Sequence, residues 1–455
     1  MSQLQRSRPR QRVRSLHLGL GSFFRAHQAW FTQAAEDGAE WGIAAFTGRS
    51  PSLAETLEGQ GCLYLLDVRD PGGDRYEVVE SVVAAHAGAD AGAWAGYWAD
   101  PAVGYITLTV TEAGYHLDGS GSLDEHDVDI ASDIDELRRG SARDQVGLRT
   151  AAGRIVSGMR ARRAADAGPI ALIPCDNLPG NGAALATTVR GLAGRVDPAL
   201  AVWVEESAAF VSTVVDRITP ATTDADRTRI AAESGLDDHC PVVTEPFAEW
   251  VLATDPGPGF PRWDSAGAIW ASDTTAYESR KLTLLNGSHS LLAYAGPLRG
   301  HGTVAEAIAD DTCRGWVEQW WDEACAHIPM ASDDLAGYRG ALVDRFANTA
   351  IEHRLAQIAQ DGSLKLPVRI LPTLRAERAA GRVPTGAARV LAAWVLSLRA
   401  PDGPAKDPRA AELVELAGGP LRTGVRRVLG ALDPALAEDT ELVTAVVALG
   451  EELAR

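Results

Sequence analysis

An α/β fold with a mainly parallel sheet over residues 1–275, followed by a mainly α-helical part over 276–455, is what this sequence predicts. Three observations carry it. Short apolar runs alternate with helical stretches through the N-terminal part, the pattern of parallel strands joined by crossover helices. The first run ends in two closely spaced glycines and opens into a helix. Beyond about residue 276 strand signals fade and long amphipathic patterns take over.

With 455 residues, 46% of them hydrophobic, the chain has material for two or three packed cores. Its 43 Lys and Arg against 61 Asp and Glu leave a formal charge of -18. That balance opposes a nucleic-acid or anionic-membrane partner, since either needs a basic surface. No apolar run approaches the ~20 residues of a membrane span. The leader carries Arg6, Arg8, Arg10, Arg12 and Arg14 with no apolar stretch that would make a signal peptide. It is expected to be disordered, contact with nucleic acid being the other reading. Cys62, Cys175, Cys240, Cys313 and Cys325 are scattered without a C-x-x-C pair, which fits a reducing cytoplasm. H-E-x-x-H is also absent, so the chemistry is expected to be metal-independent.

Residues 13–21, VRSLHLGLG, read as a strand running into Gly19 and Gly21, and SFFRAHQAWFTQAAE follows as a helix. Such a turn lets the backbone approach a pyrophosphate at a helix N-terminus. Phe24 replaces the third glycine of G-x-G-x-x-G, and Arg25 follows as a candidate phosphate contact; a plain tight turn is the alternative. WGIAAFTGRS, residues 41–50, is the second strand. It ends without the acid that holds the ribose hydroxyls in NAD sites, so Arg49 and Ser50 leave NADP open, against the reading of Arg49 as a surface residue.

Further strands are expected at 76–87, 104–115, 169–177 and 200–210, with helices such as 145–166 and 182–195 between them. Ligands of parallel sheets bind beyond strand carboxyl ends, which singles out Thr111 and Glu112 in VTEAGY and Cys175, Asp176 and Asn177 in PCDNLPGNG. An Asx turn is the other reading of the latter. Residues 211–275, with Phe247, Trp250, Phe260 and Trp263, read as a packed connecting region. Helices are expected at 303–326, 335–360, 386–399, 408–417 and 438–454. Residues 361–375 interrupt them with Lys365, Arg369 and Arg375, a cluster that reads as a solvated face.

The most chemically loaded stretch is Tyr277 to Tyr294, YESRKLTLLNGSHSLLAY. On an ideal helix Lys281, His289 and Asn286 fall at about 0°, 80° and 140°, sharing one side with Leu285 and Leu292. The rise from Lys281 to His289 is about 12 Å, so the three heads converge only if the helix bends, for which Gly287 is the candidate, or else line an extended polyhydroxylated ligand. A solvated surface helix is the alternative.

Together, HLGLGSFFRAHQAW, VTEAGY, CDNLPGNG, VDRITP, EPFAEWV, YESRKLTLLNGSHSLLAYAG and DGSLKLPVRILP resemble, in order and spacing, the polyol-specific long-chain dehydrogenase/reductase family. That family includes mannitol 2-dehydrogenase and the fructuronate and tagaturonate reductases. The resemblance implies an N-terminal Rossmann-type domain (1–275) binding NAD or NADP, a helical substrate domain (276–455), an active site in the cleft and no metal. It places the catalytic Lys on Lys281, oxyanion-stabilising asparagines on Asn177 and Asn286, the substrate-orienting His on His289, a proton-exchange Glu on Glu278 and a basic substrate contact on Lys365. Gln357 stands where mannitol-specific relatives are expected to have Arg, a departure bearing on mannitol itself.

The expected reaction moves a hydride between nicotinamide and a linear polyol/ketose pair, with Lys281 taking the hydroxyl proton. That role needs the amine's ordinary pKa near 10.4 brought towards roughly 7–8 by burial. A keto-uronate reductase, its carboxylate held by the Lys365–Arg375 cluster, is the runner-up. A non-catalytic dinucleotide or sugar-acid sensor is more remote, because a binder needs no proton acceptor. A monomer or small homo-oligomer is expected.

Overall fold

The computed structural model describes residues 1–140, 147–254, 257, 259–400 and 406–455. They form two compact units, Met1–Thr275 and Ala276–Arg455. Positions 145 and 146 of the expected 145–166 helix, and 255, 256 and 258 of the connecting region, lie outside the described residues.

The N-terminal unit is built on a six-stranded, wholly parallel sheet. Its strands are β1 (Val13–Leu18), β2 (Gly42–Phe46), β3 (Val82–His86), β4 (Tyr105–Leu108), β5 (Ile170–Pro174) and β6 (Ala208–Phe210), in the spatial order β3-β2-β1-β4-β5-β6. This is the doubly wound Rossmann order, whose switch point falls between β1 and β4. Alternation within each strand feeds apolar clusters on both faces. Ala44, Phe46, Ile106, Leu108, Ile170 and Leu172 pack into one, while Ile43 and Ala45 and, separately, Tyr105, Ala171 and Ile173 pack on the other face. Both faces being apolar is what a parallel sheet requires.

Three sequence expectations are corrected here. Residues 76–87 form two strands, not one: Arg75–Val79 turns back antiparallel on Tyr64–Val68, and Val82–His86 joins the main sheet as β3. Most of 200–210 is helical. Asp197 caps Pro198–Ser207 by accepting the Ala199 N–H, Pro198 suits a first helical turn, and buried Leu200 and Val204 repeat at the helical interval of four; only Ala208–Phe210 is strand. The Arg-rich leader is structured. Ser2–Gln3 pairs with Leu236–Asp237, and the Arg6 guanidinium donates to the carbonyls of Glu80 (2.7 Å), Gly61 (2.9 Å) and Val82 (2.8 Å). Burying these charge-assisted bonds offsets the ordering entropy that a polar leader could not otherwise meet.

The C-terminal unit is helical throughout its described residues. Helix Thr385–Leu398, buried almost all round, packs against Asn286–Ala295, Asp311–Cys325 and Thr440–Leu453. The expected 303–326 helix divides at Asp310, which caps Asp311–Cys325 through the Thr312 N–H (2.8 Å). The expected 335–360 helix stops at Phe346, and the 361–375 interruption is itself helical, Gly362–Arg369 then Leu371–Ala379. Helix Leu421–Leu432 was not anticipated.

Candidate functional site

At the carboxyl end of β1 the chain must turn within one residue of β4. Gly19 has φ +110°, and a Cβ there would lie 2.4 Å from Thr109 Oγ1 and 2.5 Å from the Thr109 carbonyl. No other residue fits. Thr109 Oγ1 donates to the Gly19 carbonyl (2.8 Å), and the N–H groups of Gly19 and Leu20 both donate to the Phe46 carbonyl at 2.9 Å. Gly21, the N-cap of Ser22–Ala26, has extended backbone that any residue adopts and 3.5 Å of clearance, so its role is to leave the turn open. A cradle with these two features fits a pyrophosphate.

Two neighbouring expectations are corrected. Phe24 is fully buried and stacks on His17 with ring centroids 3.6 Å apart, so it fills the core under the turn. Arg25 is turned inward: it donates to the carbonyls of Cys240 and Gly21, lies over the Tyr64 ring, and is 4% exposed. Its charge is already spent on internal acceptors.

Arg49 and Ser50 are exposed beyond β2, and Thr111 and Glu112 are exposed beyond β4, where Thr111 begins the 3-10 turn Glu112–Tyr115. Beyond β5 the Asx turn is present: Asp176 accepts the Leu178 N–H at 3.0 Å and takes the Tyr115 hydroxyl on its other oxygen. Burial raises the Asp176 pKa, opposed by those bonds. Asn177, next in the chain, is exposed. Cys175 is fully buried and its thiol pushed up by burial, which makes it inert. Sequence reasoning missed two supports. Asn181 is fully buried and ties the Pro174 carbonyl (3.2 Å) to Thr213 (2.9 Å from the Thr213 N–H). Arg154 donates to the carbonyls of Thr47 (3.3 Å) and Gly48 (3.1 Å). Neither carries a periodic signal.

In the C-terminal unit the helix bearing Lys281 is interrupted. Thr275–Arg280 is α-helical, Lys281–Leu285 is a π turn, and Asn286–Ala295 is α-helical again. The Asn286 N–H faces the carbonyls of Leu282, Lys281 and Thr283, that of Lys281 five residues back, which sets the two residues about one π turn apart. A turn wider than that of an α-helix narrows the separation of about 140° expected on a regular helix. Gly287 makes no bend. It clears space for Trp320, whose indole would lie 2.7 Å from an added Cβ. Lys281 and Asn286 are half-buried, and His289 is buried with its ring 5.0 Å from those of Phe346 and His353. His353 has its pKa lowered by burial and by Arg345. Glu278 lies half-buried, three residues before Lys281.

The basic cluster divides. Arg369 donates to the Asn286 carbonyl and to Ser290 Oγ, both at 3.3 Å, and Lys365 donates to the Ile358 carbonyl at 3.3 Å. Burial lowers the pKa of both, and in Lys365 the Arg369 charge adds to it. Arg375 instead pairs with Asp433 at 2.6 Å on an exposed face, as a solvated charge would. Elsewhere in this unit ligand atoms of His301, Asp310 and Cys313 lie within 4.8 Å of one another. There Arg299 already donates to the same Asp310 oxygen that His301 contacts, at 2.6 Å, so a cation occupies the acceptor.

Known proteins resemble this chain in sequence and fold. The family models for the mannitol dehydrogenase Rossmann domain and C-terminal domain match residues 13–265 and 273–447. The chain is 35% identical over 372 residues to D-mannonate oxidoreductase of Escherichia coli (strain K12), covering 80% of this chain and 75% of that protein. It is 35% identical over 387 residues to mannitol 2-dehydrogenase of Cereibacter sphaeroides, covering 83% and 79%. The solved ternary complex of Pseudomonas fluorescens mannitol 2-dehydrogenase with NAD and D-mannitol superposes with a TM-score of 0.78 at 32% identity, over 97% of this chain and 92% of that one. Matched along nearly its whole length by both family models, the chain belongs to the mannitol dehydrogenase family.

Proposed function

We propose that this chain is an NAD(P)-dependent, metal-independent oxidoreductase acting on a linear polyol/ketose pair of the mannitol/fructose type. In this reading residues 1–275 bind the dinucleotide and 276–455 bind the substrate. The observation that carries it is the π turn, which sets Lys281 about one turn before Asn286, with the buried His289 three residues further on. A surface helix has no use for that distortion, and π turns recur at functional sites.

When bound, the nicotinamide accepts or supplies the hydride. The chain's own residues handle the rest. Lys281 Nζ takes the hydroxyl proton as the carbonyl forms and returns it in reduction. Asn286 donates an amide hydrogen to the developing alkoxide, and Asn177 is assigned the same role; one such donor is typically worth about 2.7–4 kcal/mol of barrier. His289 fixes a neighbouring hydroxyl, Glu278 relays the Lys281 proton to solvent, and Lys365 contacts the substrate. Thr111 and Glu112 belong to the dinucleotide side.

A keto-uronate reductase is the second reading. Arg369, bonded to the Asn286 carbonyl and Ser290 Oγ, and Lys365, close enough to feel its charge, offer a carboxylate what a neutral polyol does not need. A panel of polyols and aldonates assayed with NAD and NADP tests both. Turnover of fructose over fructuronate supports the first reading and the reverse supports the second; dinucleotide binding with no turnover on any member would make the chain a sensor. Among the described residues no helix is long and apolar enough to cross a membrane. A cytoplasmic monomer or small homo-oligomer fits the reading.

A further inference from the structure

The loop that follows β2 exposes Arg49 and carries no acid. Its first residue is tied to the glycine turn, because the Phe46 carbonyl that ends β2 accepts the N–H groups of both Gly19 and Leu20 at 2.9 Å. In a doubly wound sheet the residues just beyond this strand meet the adenosine ribose of a dinucleotide. A carboxylate there accepts the 2′ and 3′ hydroxyls and repels a 2′-phosphate. Here the segment Thr47-Gly48-Arg49-Ser50-Pro51-Ser52 contains no acid, and the first in the following helix is Glu55.

The loop is also clamped from below. Arg154, on helix Ala151–Ala164, donates to the carbonyls of Thr47 and Gly48, and the Gly88 N–H donates to Thr47 Oγ1 at 3.0 Å. The clamp leaves no room beneath it. A Cβ on Gly88 would lie 2.3 Å from the Thr47 carbonyl, 2.5 Å from that of Gly48 and 2.6 Å from Arg154 Nη1. Burial lowers the Arg154 pKa, opposed by the charge of the Asp133 carboxylate, and a second cation is held close under the loop. With the backbone held, Arg49 projects from an exposed position and has no hydrogen-bond or ion-pair partner among the described residues. Ser50 Oγ and Ser52 Oγ, 2.9 Å apart, stand at the N-terminus of Ser52–Gly59. A free guanidinium fork, two hydroxyls and a helix N-terminus are the groups that bind a phosphate monoester. They do so in a chain whose formal charge of -18 otherwise disfavours anions.

We propose that this loop binds the 2′-phosphate of NADP, with Arg49 as its ligand and Arg154 as the residue that positions the loop. The proposal rests on the reading of residues 1–275 as a dinucleotide site and adds the choice between the two dinucleotides.

Equilibrium titration with NADPH and NADH, alongside adenosine 2′,5′-bisphosphate and 5′-AMP, tests it without turnover. The parent is expected to bind NADPH and the bisphosphate at least about tenfold more tightly than NADH and 5′-AMP, the smaller end of what one charged hydrogen bond supplies. Arg49→Ala should remove that preference with NADH binding unchanged, and Arg49→Asp should reverse it. Arg154→Gln should lower the NADPH to NADH affinity ratio, which a merely structural role would leave alone, and a melting temperature for each variant separates this from misfolding. Equal or tighter NADH binding by the parent, or an Arg49→Asp variant that keeps the parent's ratio, overturns the proposal while leaving the dinucleotide site standing. Failure of the parent to bind either dinucleotide overturns both.

Discussion

The Asn286 N–H faces the carbonyls of Leu282, Lys281 and Thr283, and the π turn that gives the five-residue return to Lys281 is supported from a single neighbouring helix. Trp320 Nε1 donates to the Thr283 carbonyl and Trp321 Nε1 to the Leu284 carbonyl, each at 3.0 Å, and Ser288 Oγ reaches the Leu284 carbonyl at 2.6 Å. A π turn disturbs the regular ladder and leaves carbonyls without their usual donors. In a buried setting such groups must find others. Two adjacent indoles supply them, which makes the distortion a built feature of the fold.

Removing one indole donor should therefore weaken both the unit and the reaction. Trp320→Phe removes the indole donor to the buried Thr283 carbonyl, at about 1–3 kcal/mol, and adds a cavity cost because a phenyl ring is smaller than an indole. We expect a lower denaturant midpoint and a fall in turnover larger than the change in substrate KM, because the register of Lys281 on Asn286 relaxes. An unchanged midpoint would mean that the indole bond is dispensable.

Gly287→Ala sets two effects against each other. Alanine gains up to about 1 kcal/mol of helix propensity over glycine. Its Cβ would meet the fully buried Trp320 indole at 2.7 Å, and forcing a methyl into such a core costs about 1–3 kcal/mol. The clash should win, because the indole cannot retreat without giving up Thr283. Thermal unfolding of the variant should begin at lower temperature than in the parent; a higher melting temperature would show that the ring moves freely.

Lys281→Ala should depress turnover by about 10²–10⁴, the range for loss of a general base, with dinucleotide affinity unchanged by titration. Asn286→Ala and Asn177→Ala should act on kcat more than on KM. Parent-like turnover in Lys281→Ala would take that residue out of the chemistry.

The parallel character of the sheet was legible because β1 to β5 carry apolar runs bounded by turn residues, and the glycine turn because Gly19 follows β1 directly. Arg25 was misread because its buried acceptor, the Cys240 carbonyl, lies 215 positions away and carries no side-chain signal. The π turn was invisible for a related reason. A hydrophobic pattern of period 3.6 does not register one inserted residue, and its supports, Trp320 and Trp321, stand 37 positions downstream of the carbonyls they serve. In 200–210 the β-branched and aromatic residues outweighed Asp197 and Pro198, whose capping decides the local structure. The leader failed the other way, since composition alone could not show that Arg6 finds three carbonyls.

Stability should also depend on pH through His17. This residue is fully buried in β1, its Nδ1 2.8 Å from Thr107 Oγ1 and its ring stacked on Phe24 beneath the glycine turn. Burial lowers its pKa from 6.5 to about 3, opposed only in part by a hydrogen bond with the Gly19 backbone. Between those values the unfolded chain binds a proton that the folded chain refuses, so His17 contributes stability fully above about pH 6.5 and loses it as pH falls towards about 3. Many carboxylates titrate in the lower part of this window, so the informative quantity is the difference from a variant. His17→Gln keeps a polar partner for Thr107 and removes the titration. Its unfolding free energy should fall less steeply between pH 6.5 and 4.5 than the parent's, by up to one proton, about 1.4 kcal/mol per pH unit. Denaturant titrations at three or four pH values would show this, and parallel slopes would mean that His17 already carries its proton in the native state.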